Sequence, residues 1–166
     1  MTTSTTSPTQ RRRLPAFARA MMRFQAFLLR RNWLGALGEE VMVITVTGRK
    51  TGRRYSTPIG YLPDPAVLSA DGRATLVALT SAEGESQWYR NVLQNPEVTL
   101  EVKGQALRAR AVPVKDAAER QRLFALYQRE RRANFPRLFG ASADAPAEAL
   151  EPALATRVFV RFHLGD

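Results

Sequence analysis

Alternation of apolar and polar residues along the chain predicts six short β-strands. The first covers 41–47, where β-branched residues dominate at both alternating sets of positions, a composition typical of a strand buried on both faces. Five further runs follow at 55–62, 74–80, 98–102, 107–113 and 157–164. Clusters of Gly, Pro, Asp and Asn separate several of these runs and mark turns. Short strands joined by hairpins favour an antiparallel barrel.

A spacing of three to four residues between apolar positions predicts three helices. They cover 14–31, 87–94 (between the third and fourth strands) and 116–132. In the last helix three arginines are expected on the outer side: Arg120, Arg129 and Arg131. The segment 134–153 is rich in Ala and Pro and is interpreted as a loop with broken helical turns. The chain is therefore predicted to be α+β and mainly β.

The N-terminal region differs from the rest of the chain. Residues 1–13 are rich in Thr, Ser and Pro and end in three arginines, which predicts a disordered basic tail. The amphipathic helix 14–31 either packs on the domain or lies on an anionic membrane surface. Residues 32–166 are predicted to form one domain. The sequence shows no secretory signal and no apolar run long enough to span a membrane, so we expect a cytoplasmic protein, with peripheral association at the inner membrane face left open.

Charge and composition narrow the function. Eleven of the 25 Lys and Arg residues, but two of the 15 Asp and Glu residues, lie in 1–54, so most of the net charge of +10 is there. Such a basic surface attracts nucleic acid, anionic lipid or an anionic small molecule. The chain has no cysteine and a single histidine, His163, in the last predicted strand. This composition argues against a disulfide, a metal site and a Ser-His-Asp triad.

The hairpin after the first strand concentrates positive charge. Gly48 and Gly52 bracket a short polar turn, since glycine accepts the positive φ angles that such turns need. Its cations are Arg49, Lys50, Arg53 and Arg54. Pro58 cannot donate to a ladder, which predicts a bulge or an open edge in the second strand. The hairpin either binds an anion or is a solvated surface turn; it lacks the spacing of a nucleoside-triphosphate phosphate loop.

A second cluster lies on the helix predicted at 87–94. Trp88 and Asn91 are three residues apart and share a helix face. An indole offers a flat apolar surface, and a carboxamide offers both a donor and an acceptor, so the pair can orient a planar heterocycle. Alternatively, the tryptophan is a core residue and the asparagine completes a cap.

Together the two clusters resemble one known family. GRKTGRRYSTPIGYL, a strand ending in Leu79-Thr80-Ser81, and WYRNVLQNPEVTLEVKGQ are similar to the deazaflavin-dependent nitroreductase/quinone reductase family, over about 32–114. The resemblance implies a split β-barrel that binds the deazaflavin coenzyme F-420. It also implies cofactor contacts at Arg49, Lys50, Thr51, Arg53, Arg54, Tyr55, Thr57, Pro58, Ile59, Gly60, Leu79, Thr80, Ser81, Gln87, Trp88 and Asn91.

The resemblance implies an oxidoreductase that transfers a hydride from the reduced cofactor to a quinone, enone or nitro compound. The protein then supplies binding and orientation, and the product's proton comes either from solvent or from Tyr127, the one candidate catalytic residue. Two alternatives remain: a split-barrel protein that binds FMN or haem without catalysis, and a basic protein that binds nucleic acid or lipid. Few aromatic residues interleave with the basic ones, which argues against nucleic acid. We expect a small-molecule electron acceptor as partner and a monomer or homodimer.

Overall fold

The computed structural model describes residues 40–80 and 84–165, which form a six-stranded barrel with helices around it. The strands are β1 (Glu40–Thr47), β2 (Arg54–Leu68), β3 (Ala74–Leu79), β4 (Glu97–Val102), β5 (Gln105–Pro113) and β6 (Phe159–Leu164). The helices are α1 (Gln87–Val92), α2 (Ala117–Glu130), α3 (Phe135–Phe139) and α4 (Ala147–Thr156). The barrel closes in the order β1-β2-β3-β6-β5-β4, all antiparallel. The mainly β barrel is confirmed, whereas the tail 1–13 and the helix 14–31 lie outside the described residues.

Two apolar clusters occupy opposite sides of the barrel sheet. The interior cluster includes Met42, Ile44, Val46, Leu100 and Phe162. Alternate residues of the same strands face outwards and pack beneath α2, α3 and α4. This second cluster includes Leu62, Val77, Phe159, Leu123, Phe124, Tyr127, Phe135 and Phe139. The period of two along each strand therefore divides the apolar residues between two cores.

The structure corrects the burial predicted for β1. Met42, Ile44 and Val46 are buried inside the barrel, but the alternating positions 41, 43, 45 and 47 are only half-buried. The β-branched residues on that face therefore suit a strand that is buried on one side and partly accessible on the other. This leaves two threonines of β1 accessible on the outer surface.

The open edge expected at Pro58 is present, but there is no bulge at that residue. Pro58 lies opposite Val43 in an unbroken register between β1 and β2. Pairing of β2 with β3 begins only at Leu62, and the register shift lies further on, between Asp64 and Leu68. Within the described sheet, the first half of β2 thus pairs with β1 alone. Pro58 has no N–H to donate, but no described strand lies on its other side to need that hydrogen bond.

The segment 134–153 is more helical than predicted. It contains α3 and most of α4, so the described residues hold four helices where the sequence predicted two. In α3, Phe135 and Phe139 stack at 4.4 Å between ring centroids, and both contact Phe124. Tertiary packing therefore stabilises a helix that would be too short to form alone. In α4, alanines favour helix formation although Pro152 lies inside it.

Two of the arginines expected on the outer side of α2 bind main-chain carbonyl groups instead. Arg131 donates to the Tyr61 carbonyl at 3.0 Å, and Arg120 donates to the carbonyls of Leu154 and Arg157 at 2.7 and 3.1 Å. Long side chains can pack their stems while the guanidinium satisfies carbonyls at element ends. Arg129 pairs with its exposed neighbour Glu130, as the helical pattern predicts for a surface residue.

A buried ionic network ties the irregular end of β2 to α2 and β6. Asp64 is completely buried and accepts hydrogen bonds from Arg122 and Arg161. Glu119 accepts from the same two arginines. Burial alone would raise the pKa of Asp64, but the two arginine hydrogen bonds outweigh burial and lower this pKa. The network therefore keeps both carboxylates charged beneath the helical layer.

Two features relevant to function, a membrane-spanning helix and a metal-binding cluster, are absent from the described residues. None of their helices is long and apolar enough to cross a membrane. Within the same residues, no group of three or more His, Cys, Asp or Glu side chains is arranged to hold a metal ion.

Candidate functional site

A cavity of about 470 Å³ lies between the β1–β2 turn and α1; we call it the hairpin cavity. It is open to solvent and is formed by the end of β1, the turn, the start of β2 and one face of α1. Its lining residues are Val46, Gly48, Arg49, Lys50, Thr51, Tyr55, Thr57, Gln87, Trp88 and Asn91. Eight of the cofactor-binding residues predicted from the sequence are thus brought together around one space.

The turn that carries the cations is fixed by its own main chain. The Gly48 N–H donates to the Arg53 carbonyl at 2.7 Å, and the Gly52 N–H donates to the Gly48 carbonyl at 2.9 Å. Gly52 has φ of +65°, a conformation that side-chain-bearing residues rarely adopt. These bonds hold the backbone of 49–51 at the cavity in a single conformation.

Gly48 leaves room for an aromatic ring that lies directly against it. A Cβ atom at this position would lie 2.5 Å from the Tyr55 ring and 2.9 Å from Thr51 Oγ1. The Thr51 and Tyr55 hydroxyls are hydrogen-bonded to each other at 2.9 Å. A glycine, a threonine and a tyrosine therefore form one wall of the hairpin cavity as a unit.

Arg49 joins the turn to α1. Its main-chain N–H and its Nη1 both donate to Asn91 Oδ1, at 3.2 and 2.9 Å. The guanidinium also donates to Gln87 Oε1, at 3.2 Å from Nη1 and 3.3 Å from Nη2. Both partners are neutral carboxamides, so within the described residues the positive charge of Arg49 is positioned but not paired with a carboxylate.

The electrostatics of the cavity favour an anion. Among the described lining residues, Arg49 and Lys50 are cationic and none is a carboxylate. Neutral donors come from the Thr57 hydroxyl and from the hydrogen-bonded pair Thr51 and Tyr55, which keeps one proton free to donate. Charge-assisted hydrogen bonds from a guanidinium or ammonium group are the strong ones for phosphate or carboxylate, so this set of donors suits an anionic group.

Trp88 is a core residue that also lines the hairpin cavity. It is 8% exposed and packs inside the barrel, with its ring centroid 6.3 Å from that of Phe162. Its remaining surface lines the hairpin cavity beside Val46. The indole is thus a core residue whose accessible part gives the cavity an apolar side.

Other predicted contacts lie outside this lining. Arg54 points to the outer surface of the barrel and donates to Thr99 at 2.9 Å. The lining also excludes four other predicted contacts: Arg53, Pro58, Ile59 and Gly60. Of these, Ile59 is buried in the barrel. Leu79 packs against the second cluster, and Thr80 is buried with its N–H donating to the Val158 carbonyl at 3.0 Å. Ser81 lies outside the described residues.

Tyr127 does not reach the hairpin cavity. It is 3% exposed within the second cluster, and its hydroxyl donates to the Val77 carbonyl at 3.0 Å. Its ring contacts Phe139 and Phe159. The candidate proton donor is therefore a packed residue between the barrel and α2, on the outer side of the sheet.

Two lining residues were missed by the sequence reasoning. Val46 belongs to the buried alternation of β1 with Met42 and Ile44, and its position at the strand end next to the turn could have indicated it. Gly48 was assigned to the turn alone, although the close approach of Tyr55 is what favours a glycine there.

Comparison with known proteins identifies the family. The model of the family described as F420H(2)-dependent quinone reductase matches residues 17–138. The chain belongs to this family. The match covers the hairpin, α1 and all the residues that line the hairpin cavity. Membership of the quinone reductase family supports a deazaflavin-dependent oxidoreductase.

Solved structures share the fold of this quinone reductase family member at low sequence identity. A protein of unknown function from Agrobacterium tumefaciens is similar with a TM-score of 0.51 and 13% identity, over 77% of this chain and 49% of that protein. This chain thus spans about half the length of the Agrobacterium protein. A Bacteroides thetaiotaomicron protein described as a candidate 5-nitroimidazole antibiotic resistance protein is similar with a TM-score of 0.51 and 11% identity. The match covers 77% of this chain and 74% of that protein. A structure described as an F420-H2 dependent reductase (FDR-A) has a TM-score of 0.47 and 19% identity with this chain. The match covers 74% of this chain and 93% of that protein.

The hairpin cavity has the donors that the family's cofactor requires. The coenzyme combines a phosphodiester, a polycarboxylate tail and a planar ring system. Arg49 and Lys50, which have no carboxylate beside them in the described lining, match the anionic part together with the hydroxyl groups, and the exposed side of Trp88 with Val46 matches the planar part. The residues present therefore fit the group.

Proposed function

We propose that this chain is an oxidoreductase that transfers a hydride from the reduced deazaflavin coenzyme F-420 to a quinone, an enone or a nitro compound. The observation that supports it most directly is the hairpin cavity, in which Arg49 and Lys50 meet an apolar indole surface with no carboxylate among the described lining residues. Family membership over 17–138 points to the same cofactor.

In this proposal the turn binds the anionic part of the cofactor. Lys50 is exposed at the turn and contributes a mobile ammonium group, whereas Arg49 is half-buried and oriented by Asn91. The Thr51 and Tyr55 hydroxyls are oriented by their mutual hydrogen bond, which uses one of their two protons and leaves the other to donate to a ligand. Preorganised donors lose less conformational entropy on binding than free surface cations do.

The other side of the hairpin cavity binds and orients the planar part. When bound, the reduced deazaflavin supplies the hydride. Trp88 and Val46 exclude water from the face that they cover, and the carboxamide of Asn91 is held in one orientation by Arg49. Holding the reactants in a reactive geometry is the main contribution asked of the protein. Since Tyr127 is buried elsewhere, we assign the product's proton to solvent.

Titration of purified protein with the deazaflavin coenzyme tests the proposal. We expect saturable quenching of the coenzyme's fluorescence and, with the reduced form, oxidation that depends on an added quinone, enone or nitroaromatic compound. FMN is titrated in parallel as the competing cofactor. Tight FMN binding with no deazaflavin binding by folded protein would contradict the proposal.

The acceptor is tested separately from the cofactor. Each acceptor class is supplied at the same concentration, and the rate of coenzyme oxidation is compared with that of a Lys50→Ala variant. A reaction through the hairpin cavity should slow in the variant for every acceptor. Oxidation that is unchanged in the variant would indicate that the acceptor reacts with coenzyme free in solution.

A further inference from the structure

A second cavity of about 380 Å³ lies on the outer surface of the barrel, across strands β2, β1, β4 and β5; we call it the outer groove. Its lining residues are Thr45, Thr47, Arg54, Glu97, Val98, Thr99 and Arg108. None of them lines the hairpin cavity, since residues of β1 alternate between the inside and outside of the barrel. The outer groove is therefore a separate feature.

Strand register places a row of hydroxyl groups across the outer groove. Ser56 lies opposite Thr45, Thr45 opposite Thr99, and Thr99 opposite Arg108. Adjacent strands are about 4.8 Å apart, so the four side chains form one continuous line. Thr45 Oγ1 and Ser56 Oγ are hydrogen-bonded at 2.8 Å. The line ends in the guanidinium of Arg108 on β5.

A second arginine reaches the same place from the opposite side. Arg54, on β2, extends over β1, and its Nη2 donates to Thr99 Oγ1 at 2.9 Å. Arg108 is the cross-strand neighbour of Thr99. Two arginines from strands at opposite ends of the row therefore line the outer groove next to Thr99.

Within the part of the chain that the structure describes, no carboxylate neutralises these two charges. Glu97 is the one carboxylate in the described lining, and it forms a salt bridge of 2.5 Å with Arg110, its neighbour across β5. Neither Arg54 nor Arg108 makes an ion pair within 40–80 and 84–165. Two like charges in proximity repel each other unless an anion lies between them.

We propose that the outer groove is a second binding site, for the phosphate or carboxylate group of a small hydroxylated molecule. A planar guanidinium matches the oxygen pairs of both groups, and two arginines can hold one oxyanion from two sides. The row of Thr and Ser hydroxyls can both donate to and accept from hydroxyl groups beside the oxyanion. The site is independent of the hairpin cavity and of the proposed hydride transfer.

Calorimetric titration with pyrophosphate and with citrate, at an ionic strength matched with potassium chloride, tests this site. The test variant is Arg54→Gln/Arg108→Gln, which removes both charges from exposed positions and keeps hydrogen-bonding groups. The control, Lys115→Gln/Arg129→Gln, removes two charges outside the outer groove. We expect the dissociation constant to rise about tenfold or more in the test variant and by no more than about twofold in the control.

Three further measurements complete the design. Thr99→Val should also weaken binding, because it removes the acceptor that orients Arg54. Comparison of pyrophosphate with citrate shows whether phosphate or carboxylate is the preferred group. Equal weakening in the test and control variants would overturn the proposal. So would loss of binding in Lys50→Ala with binding kept in the test variant, or no binding of either anion by the folded wild type.

Discussion

Arg49 makes two hydrogen bonds to a single oxygen atom of Asn91. The main-chain N–H of Arg49 and its Nη1 both donate to Oδ1, at 3.2 and 2.9 Å. One buried carboxamide thereby fixes the turn backbone and the direction of the guanidinium relative to α1. Because an asparagine rather than an aspartate occupies this position, the charge of Arg49 remains available to a ligand.

The Asn91→Asp variant separates the structural role of this pair from its electrostatic role. A carboxylate can accept both hydrogen bonds, so we expect an unchanged or higher melting temperature. The new carboxylate also neutralises the positive charge of Arg49 and repels an anionic ligand. Binding of the deazaflavin coenzyme should therefore weaken about tenfold or more. Fluorescence titration and thermal melting give the two readouts. Gln94→Glu, which adds the same charge at an exposed position outside the lining, is the control; equal affinities in the two variants would contradict the prediction.

Lys50→Ala should weaken cofactor binding far more than Lys115→Ala. Lys50 lies in the constrained turn at the hairpin cavity, whereas Lys115 is exposed before α2. A charge-assisted hydrogen bond is worth roughly 1.5–3 kcal/mol, which corresponds to about tenfold or more in the dissociation constant. Arg131 is a poor control, because it donates to the Tyr61 carbonyl and its loss would also affect stability. Equal effects in the two lysine variants would mean that net charge alone sets the affinity.

Gly48→Ala tests the wall formed by Gly48, Thr51 and Tyr55. The added methyl group must displace the Tyr55 ring, from which it would lie 2.5 Å. Tyr55 is half exposed and can move, so we expect a small loss of stability and a clear loss of cofactor affinity. The double variant Gly48→Ala/Tyr55→Ala removes the clash. Its effect on affinity should therefore be smaller than the sum of the single effects, and additive effects would show that the two positions are not coupled.

The ionic network predicts a specific loss of stability in acid. The hydrogen bond from Arg122 lowers the pKa of Glu119 from 4.5 to about 2 in the folded protein. Because the folded pKa is depressed, this stabilisation is complete above about pH 4.5 and is lost as the pH falls towards 2. The melting temperature should drop over that interval. Glu119→Gln should lower it at neutral pH and make its acid dependence shallower, whereas Glu130→Gln, at an exposed pair, should match wild type at every pH.

Deletion of residues 1–31 distinguishes the two interpretations of the N-terminal helix predicted at 14–31. If the helix packs on the domain, each buried apolar side chain contributes roughly 1.5–3 kcal/mol, and the melting temperature falls. If it serves a membrane surface, the fold is kept and co-sedimentation with anionic liposomes is lost. A lower melting temperature, together with no liposome binding by the full-length chain, would rule out the membrane role.

The residues of the hairpin cavity were mostly predictable because their signals are local. Glycines at 48 and 52, four nearby cations and a Trp-Asn pair on one helix face are visible in the sequence. The contacts of Leu79 and Thr80 were not visible, since they depend on which side of β3 packs against other elements. Tyr127 is similar: its helical position shows that it is buried, but the sequence does not show whether it faces a cavity or the Val77 carbonyl.

The sequence by itself determined the strand alternation and the basic turn, because each depends on spacing within a short segment. It also indicated an antiparallel barrel through its hairpin-linked strands, and the family through the resemblance of 32–114. Only the tertiary structure decided which residues meet across long separations. The bonds from Arg49 to Asn91 and from Arg54 to Thr99 each join residues more than 40 positions apart. Barrel closure and strand register bring them together, and the parity of its position in β2 places Arg54 on the outer side of the barrel, whereas Arg49 reaches the hairpin cavity from the turn.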